Sequence, residues 1–294
     1  NYNVVVGDEA GTAITTGDGN TAIGYQALET ATTASNNTAI GLSALRENTS
    51  GAQNTAVGRL SADALTEGSA NVALGNAALT ADTLGSKSVA VGNAALGAQN
   101  FTTATDTYNT AVGYNAGTLV TTGVRNTIMG GLAGDALTDA DRNVAMGHGA
   151  LSTDTLGSKS VALGYQALST QNFTTATDSF NTAVGYQAGV GLTTGTRNTL
   201  IGSLAGDVMT VAPNNTAVGY GALGANTTGG GNVGLGYQAL TTMNVTNTSD
   251  TFNTGVGFQA GLSVTTGVEN TLIGGLAGDA ITTGYYNTAL GKDA

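Results

Sequence analysis

The chain of 294 residues contains no cysteine, which excludes disulfides and thiolate metal sites and is compatible with an extracellular setting. Charge is scarce as well. Asp, Glu, Lys and Arg make up 9 % of the residues, against roughly 25 % in ordinary soluble domains, so the surface must be built from Thr, Asn, Ser, Gln and backbone. Only 8 residues are Lys or Arg and the formal net charge is −11. With no basic cluster to follow a phosphate backbone, nucleic acid is not expected as a partner. No apolar run approaches the roughly 20 residues of a membrane helix, so this segment is not expected to insert into a membrane. His148 is the only histidine, and a His-based metal centre or catalytic triad would rest on it alone. GxSxG and P-loop motifs are missing, and the abundant glycines lack the strand-to-helix context of a dinucleotide site.

What is present is repetition. The stretch Asn20-Thr21-Ala22-Ile23-Gly24 returns in seventeen variants, among them Asn54 to Gly58, Asn126 to Gly130 and Asn287 to Gly291. The closing glycines, which include Gly24, Gly58, Gly92, Gly130, Gly164, Gly202, Gly236 and Gly274, are 17 residues apart, except for steps of 21 before Gly113, Gly185 and Gly257. A second period of 72 residues relates Gly75, Gly147 and Gly219. Fixed periods of this size mark a solenoid with one structural turn per repeat. The unbroken frame implies a single elongated all-β domain spanning 1–294. Because the chain starts just before one repeat and stops inside another, it is expected to be a segment of a longer protein.

Within a turn, the residues before the glycine alternate as a short strand. The position immediately before it is aliphatic or Met in every turn, and two places earlier stands Thr or Val; that face is expected inside the coil. Invariant glycine implies a corner with positive φ or a crowded backbone. Three residues further on comes Ala in sixteen of the seventeen turns, which suggests a second short strand. The opening asparagines (Asn20, Asn54, Asn126, Asn198, Asn270) are expected to stack as an amide ladder along one corner, with Ser88 and Ser160 as exceptions. The opposite strand face carries Ala22, Ala56 and Ala183, and once per 72 residues Ile128, Leu200 and Leu272. Left outside the coil, such a stripe needs a cover, most simply a parallel copy of the same chain.

The three 21-residue turns share an arm: Asn100–Tyr108, Asn172–Phe180 and Asn244–Phe252. Its extra residues are expected to bulge outward as loops, where recognition usually sits, making Phe101, Asp106, Phe173, Asp178 and Asp250 candidate recognition residues. The Asp sets (Asp106, Asp178, Asp250; Asp135, Asp207, Asp279) repeat four turns apart, on the order of 19 Å, too far to share a metal or act as a catalytic pair. Neither catalytic residues nor cofactors are expected. Aromatic residues follow many closing glycines (Tyr25, Tyr114, Tyr165, Tyr186, Tyr237, Phe258) in a row that could stack on sugars, or equally pack against neighbouring turns.

The elements Ser88-Val89-Ala90-Val91-Gly92 and Asn20-Thr21-Ala22-Ile23-Gly24 resemble the head repeats of YadA-like trimeric autotransporter adhesins. The longer form from Asn181 to Ala188, NTAVGYQA, is similar to repeats of tail-fibre-type proteins of phages and bacteria. The resemblance covers essentially the whole chain. It implies a left-handed parallel β-roll, a homotrimer, and a head that binds host surfaces. This chain departs from the adhesins in its longer turn and in having no visible neck, stalk or anchor. The expectation is an extracellular trimeric fibre segment, on a cell surface or virion, serving as shaft and adhesive surface and binding surface glycans. It is not expected to be an enzyme. Two other readings remain: an ice- or crystal-binding solenoid, disfavoured because Val72, Val89, Val144, Val161 and Val233 interrupt the Thr row, and a glycan-processing tailspike, for which no carboxylate pair speaks.

Overall fold

The computed structural model describes residues 2–245 and 249–294. Among them there is no helix, and the chain is an all-β parallel β-solenoid of about seventeen turns. It divides into two compact units, Asn1–Asn143 and Val144–Ala294.

In the first unit each turn contributes one three-residue strand, from Val4–Val6 and Thr21–Ile23 to Thr127–Met129. Each strand pairs in parallel with its equivalent one turn on. Ala22 lies opposite Ala39, and across a 21-residue turn Ala90 lies opposite Ala111. The second unit repeats the pattern from Val144–Met146 to Thr288–Leu290, with Ala162 opposite Ala183 and Leu200 opposite Ala217. The four extra residues cause no register slip, because they leave the coil between one strand and the next.

The segment after the glycine is not the second strand expected from its Ala pattern. It is a run of turns in which alternate residues are left-handed, as at Gln26 (φ 55°) and Leu28 (φ 53°). Alternating right- and left-handed residues turn successive amides up and down the coil. Gln26 N–H donates to the Asp8 carbonyl of the turn before, and Leu28 N–H to the Ala44 carbonyl of the turn after, both at 3.0 Å. The backbone is thus satisfied between turns without β geometry. Side-chain alternation cannot separate this from a strand, since both have a period of two.

The strand faces are also the reverse of expectation. Ala22, Ala56, Ala183, Ile128, Leu200 and Leu272 are fully buried, whereas Thr21 is half-exposed and Ile23 exposed. The reason is volume. The inward turn residues Ala27 and Leu28 already fill the slender interior, leaving room for only a methyl group at the strand centre. Where the Leu28 position is glycine, as at Gly117 and Gly134, a larger strand residue enters: a Cβ on Gly117 would lie 2.8 Å from Ile128 Cδ1, and one on Gly206 2.9 Å from Leu200 Cδ2. A second exchange runs three residues on. Leu28 is followed by Ala31 and Leu79 by Asp82, whereas Ala62 is followed by Leu65, Gly117 by Val120 and Gly206 by Met209. Each turn keeps a similar packed volume, and the 72-residue period is the period of this exchange.

From Asn20 onward the residue before each ladder asparagine is a left-handed corner, including Gln53 (φ 61°), Ala70 (φ 59°) and Arg125 (φ 60°). A side chain there carries strain that glycine lacks. Ala70 is exposed, so Ala70→Gly should raise stability by about 0.5–1 kcal/mol, part of the relieved strain being offset by the freer unfolded chain. A higher urea midpoint with an unchanged slope is the expected reading.

Candidate functional surfaces

The asparagine corner lies inside the molecule. Asn20 is fully buried; its backbone N–H donates to Asn3 Oδ1 at 2.8 Å, and its Nδ2 donates to the Ala34 carbonyl at 2.8 Å. Its own Oδ1 accepts from Asn37 N–H at 2.9 Å. Asn54 Oδ1 accepts from Asn71 N–H, and Asn126 Nδ2 donates to the Ala140 carbonyl. The backbone N–H groups of Asn198 and Asn270 donate to the Oδ1 atoms of Asn181 and Asn253. One side chain per turn therefore serves both adjoining turns where the corner backbone cannot serve itself. Asn48 and Asn226, each in an Asn-x-Ser/Thr triplet, are buried too, so neither is open to a glycosylating enzyme in the folded chain.

The closing glycines form a second column, all with φ between 129° and 143°. Gly24, Gly58, Gly92, Gly130, Gly164, Gly202, Gly236 and Gly274 belong to it. They contribute backbone geometry, not contact chemistry.

The arms differ from simple outward loops. Phe101 and Phe173 are buried at 6 % exposure, because an apolar ring at the root of an arm packs onto the coil; the expectation that they project outward with the arm is corrected. Thr105–Asp106 pairs in parallel with Gly85–Ser86, and Thr177–Asp178 with Gly157–Ser158. The exposed run of the first arm is instead Thr102, Thr103 and Ala104, and that of the second is Thr174, Thr175 and Ala176. Lys87 Nζ lies 2.6 Å from Asp106 Oδ2 and 5.2 Å from the Tyr108 ring centre. The Asp106 carboxylate, followed by the Tyr108 hydroxyl, holds the Lys87 ammonium above its ordinary pKa. Lys159, Asp178 and Phe180 repeat this arrangement. Solvent screens pairs this exposed, and they add little to stability. In the third arm Asp250 bridges to Gly230, while Gly231 stands at the lysine position. The tip of that arm, 246–248, lies outside the described residues.

Beneath the first two arms is a buried polar network that the sequence reading missed. Asp82 Oδ1 accepts from the Gly85 and Phe101 N–H groups, both at 3.1 Å, and Oδ2 from Gln99 Nε2 at 2.6 Å. Gln99 Nε2 also reaches Ser88 Oγ at 2.9 Å, and Gln99 Oε1 accepts from Asn109 Nδ2 at 2.9 Å. Asp154, Gln171, Ser160 and Asn181 repeat it. The two serines that break the asparagine column were its only visible trace: a shorter side chain there admits the glutamine. Burial pushes the Asp82 carboxyl above the usual carboxylate range, against the Gln99 amide and the backbone donors, which lower it.

Two exposed columns remain. The aliphatic residue before each glycine faces out, exposed at Ile23 (37 %), Val57 (37 %) and Met129 (38 %) in the first unit and Ile201 (39 %) in the second, and half-exposed at others such as Leu74 and Val184. In the second unit the aromatic residues after the glycines are stacked: His148 on Tyr165, Tyr165 on Tyr186, Tyr220 on Tyr237 and Tyr237 on Phe258, with ring centres 5.3–5.8 Å apart and planes within 15°. Rings inside a stack have both faces covered by neighbours. His148 thus ends a stack. Among the described residues no three His, Asp or Glu side chains gather to hold a metal ion. Asp207, one of the periodic Asp set, has its carboxyl raised by burial.

No family model matches the chain, nor does any curated protein or solved structure. The surfaces themselves carry the functional reading.

Proposed function

We propose that this chain is a shaft and adhesive segment of an extracellular fibre, on a cell surface or a virion, in which three copies of a left-handed coil lie parallel and in register. It performs no chemistry on its target; repetition along the coil supplies many weak contacts to surface glycans. The resemblance to trimeric adhesin heads and tail-fibre repeats supports the assembly. The observation that carries it is the outward aliphatic column, one Val, Ile, Leu or Met per turn. This column, not the Ala22 face, is the surface in want of a cover. A parallel copy in register offers an identical column at the same spacing.

Sedimentation equilibrium should give three times the 28.8 kDa chain mass. Placing glutamates on the column (Val57→Glu with Ile201→Glu) should weaken association by about a hundredfold, equivalent to about 2.7 kcal/mol, while the circular dichroism of the coil is retained. A wild-type chain that sediments as a monomer would sink the trimer.

The ice-binding reading gains one observation: the Thr21, Thr38 and Thr55 column is on the outer face, so the interrupting valines do not mark an inward face. Side chains of unequal reach beside it, such as Leu74 and Met129, keep that face uneven, and the fibre reading is preferred.

A further inference from the structure

In the second unit the aromatic column is interrupted at one step. Going turn by turn it runs His148, Tyr165, Tyr186, Ser203, Tyr220, Tyr237, Phe258. Tyr186 closes one stack and Tyr220 opens the next. Backbone bonds hold the three turns together at this point: Leu204 N–H donates to the Tyr186 carbonyl at 3.0 Å, and Gly221 N–H to the Ser203 carbonyl at 3.1 Å. Two tyrosines, both about half exposed, therefore flank the place of a missing ring.

We propose that this slot binds one neutral pyranose ring of a glycan, sandwiched between Tyr186 and Tyr220 over Ser203. Two steps of the coil separate the tyrosines, about 9.6 Å at ordinary strand spacing. A ring at the middle step meets both at the centroid separations that aromatic stacking favours. The polar surroundings select a sugar over a phenyl group. The Ser203 hydroxyl makes no hydrogen bond among the described residues. Gln187 spends its Nε2 on Gln166 Oε1 at 2.9 Å, and among the described residues its own Oε1 accepts no hydrogen bond. A hydroxylated ring can use both; a flat aromatic ring leaves both unpaired. On the Tyr220 side Gly221 carries no side chain and leaves space. The net charge of −11 disfavours sialic and uronic acids. The positions equivalent to Ser203 in the 72-residue period are Gly131 and Gly275. Within the second unit only Ser203 has a tyrosine on each side, since Gly275 is followed one step on by Lys292.

The slot rests on the adhesive reading for its purpose and on ring geometry for its existence, and the two are tested apart. Saturation-transfer NMR on the wild-type chain, with methyl β-D-glucopyranoside, methyl β-D-galactopyranoside and methyl α-D-mannopyranoside as probes, should show transfer to the ring C–H protons of at least one sugar. Ser203→Tyr completes the column and should weaken that binding by about tenfold or more. Gly275→Tyr, which lengthens the stack beyond Phe258, should leave it unchanged. Tyr186→Ala with Tyr220→Ala removes the walls without filling the slot and should abolish transfer. No transfer to any pyranoside, equal binding in Ser203→Tyr, or tighter binding of p-cresol than of every sugar would overturn the assignment. A trimer that binds no pyranoside rejects the slot alone, whereas a monomer that binds one rejects the assembly alone.

Discussion

Gly58→Ala is expected to be among the most damaging single methyl groups in the first unit, costing about 4 kcal/mol. Two effects add. The residue sits at φ 137°, where an L side chain is strained by about 1–3 kcal/mol. The new Cβ would also lie 2.4 Å from the Gly75 carbonyl oxygen and 2.6 Å from its carbon. That neighbour is backbone and cannot rotate away. It can retreat only by opening the spacing between turns, where Gly75 N–H donates to the Val57 carbonyl at 2.8 Å, and overpacking of this kind costs a further 1–3 kcal/mol, roughly. Because each turn of a solenoid rests only on its neighbours, the damage should centre on the turns at Gly58 and Gly75. Hydrogen exchange should show lost protection there first. Gly275→Ala is the matched control: a Cβ meets nothing within 4 Å there, and its free energy of unfolding in urea should stay within about 0.5 kcal/mol of wild type. Equal effects of the two substitutions would refute the backbone-contact account.

The second large effect is expected at Asp82. Asp82→Asn exchanges an acceptor for an amide group beside Gln99 Nε2, which stands 2.6 Å from the carboxylate oxygen. Gln99 cannot turn over without cost, because its Oε1 already accepts from Asn109 Nδ2 at 2.9 Å. Either orientation leaves two donors face to face in the core, a loss of about 2–4 kcal/mol. The third arm shows the repair. There Asn226 replaces the Asp and Met243 the Gln; Asn226 turns its Nδ2 to the Gly229 carbonyl at 2.8 Å, and Asn253 Nδ2 faces Met243 Sδ at 3.4 Å. Asp82→Asn combined with Gln99→Met should therefore recover much of the loss, with a coupling of about 1–3 kcal/mol in a double-mutant cycle. Additive losses would mean that the two side chains act independently.

The same pair predicts a pH dependence. The carboxyl of Asp82 is raised in the folded chain by burial, so folding favours its protonated form. Its contribution is fully present in acid, below the unfolded value, and is lost as pH rises through the raised folded value. The stability of wild type relative to the double variant should accordingly fall between acid and neutral pH. A difference that grew with pH would contradict the direction of the shift.

These cases show where sequence is a good guide and where it is not. Asn20 and Gly24 repeat because one turn must hydrogen-bond or abut its copy one step along, and such demands return at the period of the coil. Phe101 looked like a loop residue because four extra residues mark an arm, yet nothing in the spacing says that the ring folds back beneath it. Asp82 and Gln99 are two polar residues 17 apart, and only in space do they meet over Ser88. The aromatic row was visible; which ring faces are spoken for, and that Ser203 leaves two of them uncovered, was not.

By itself, then, the amino-acid order determined the period, the stacking of like on like, the glycine corner and the location of the arms, all consequences of translational repetition. Only the tertiary structure decided which face of the strand turns inward. A period of two states that neighbouring side chains oppose each other but not which is buried, and that choice is made by the volume of Leu28 and its equivalents across the coil. It placed Ala22 inside and Ile23 in solvent, and so moved the surface that asks for a partner from one side of the strand to the other.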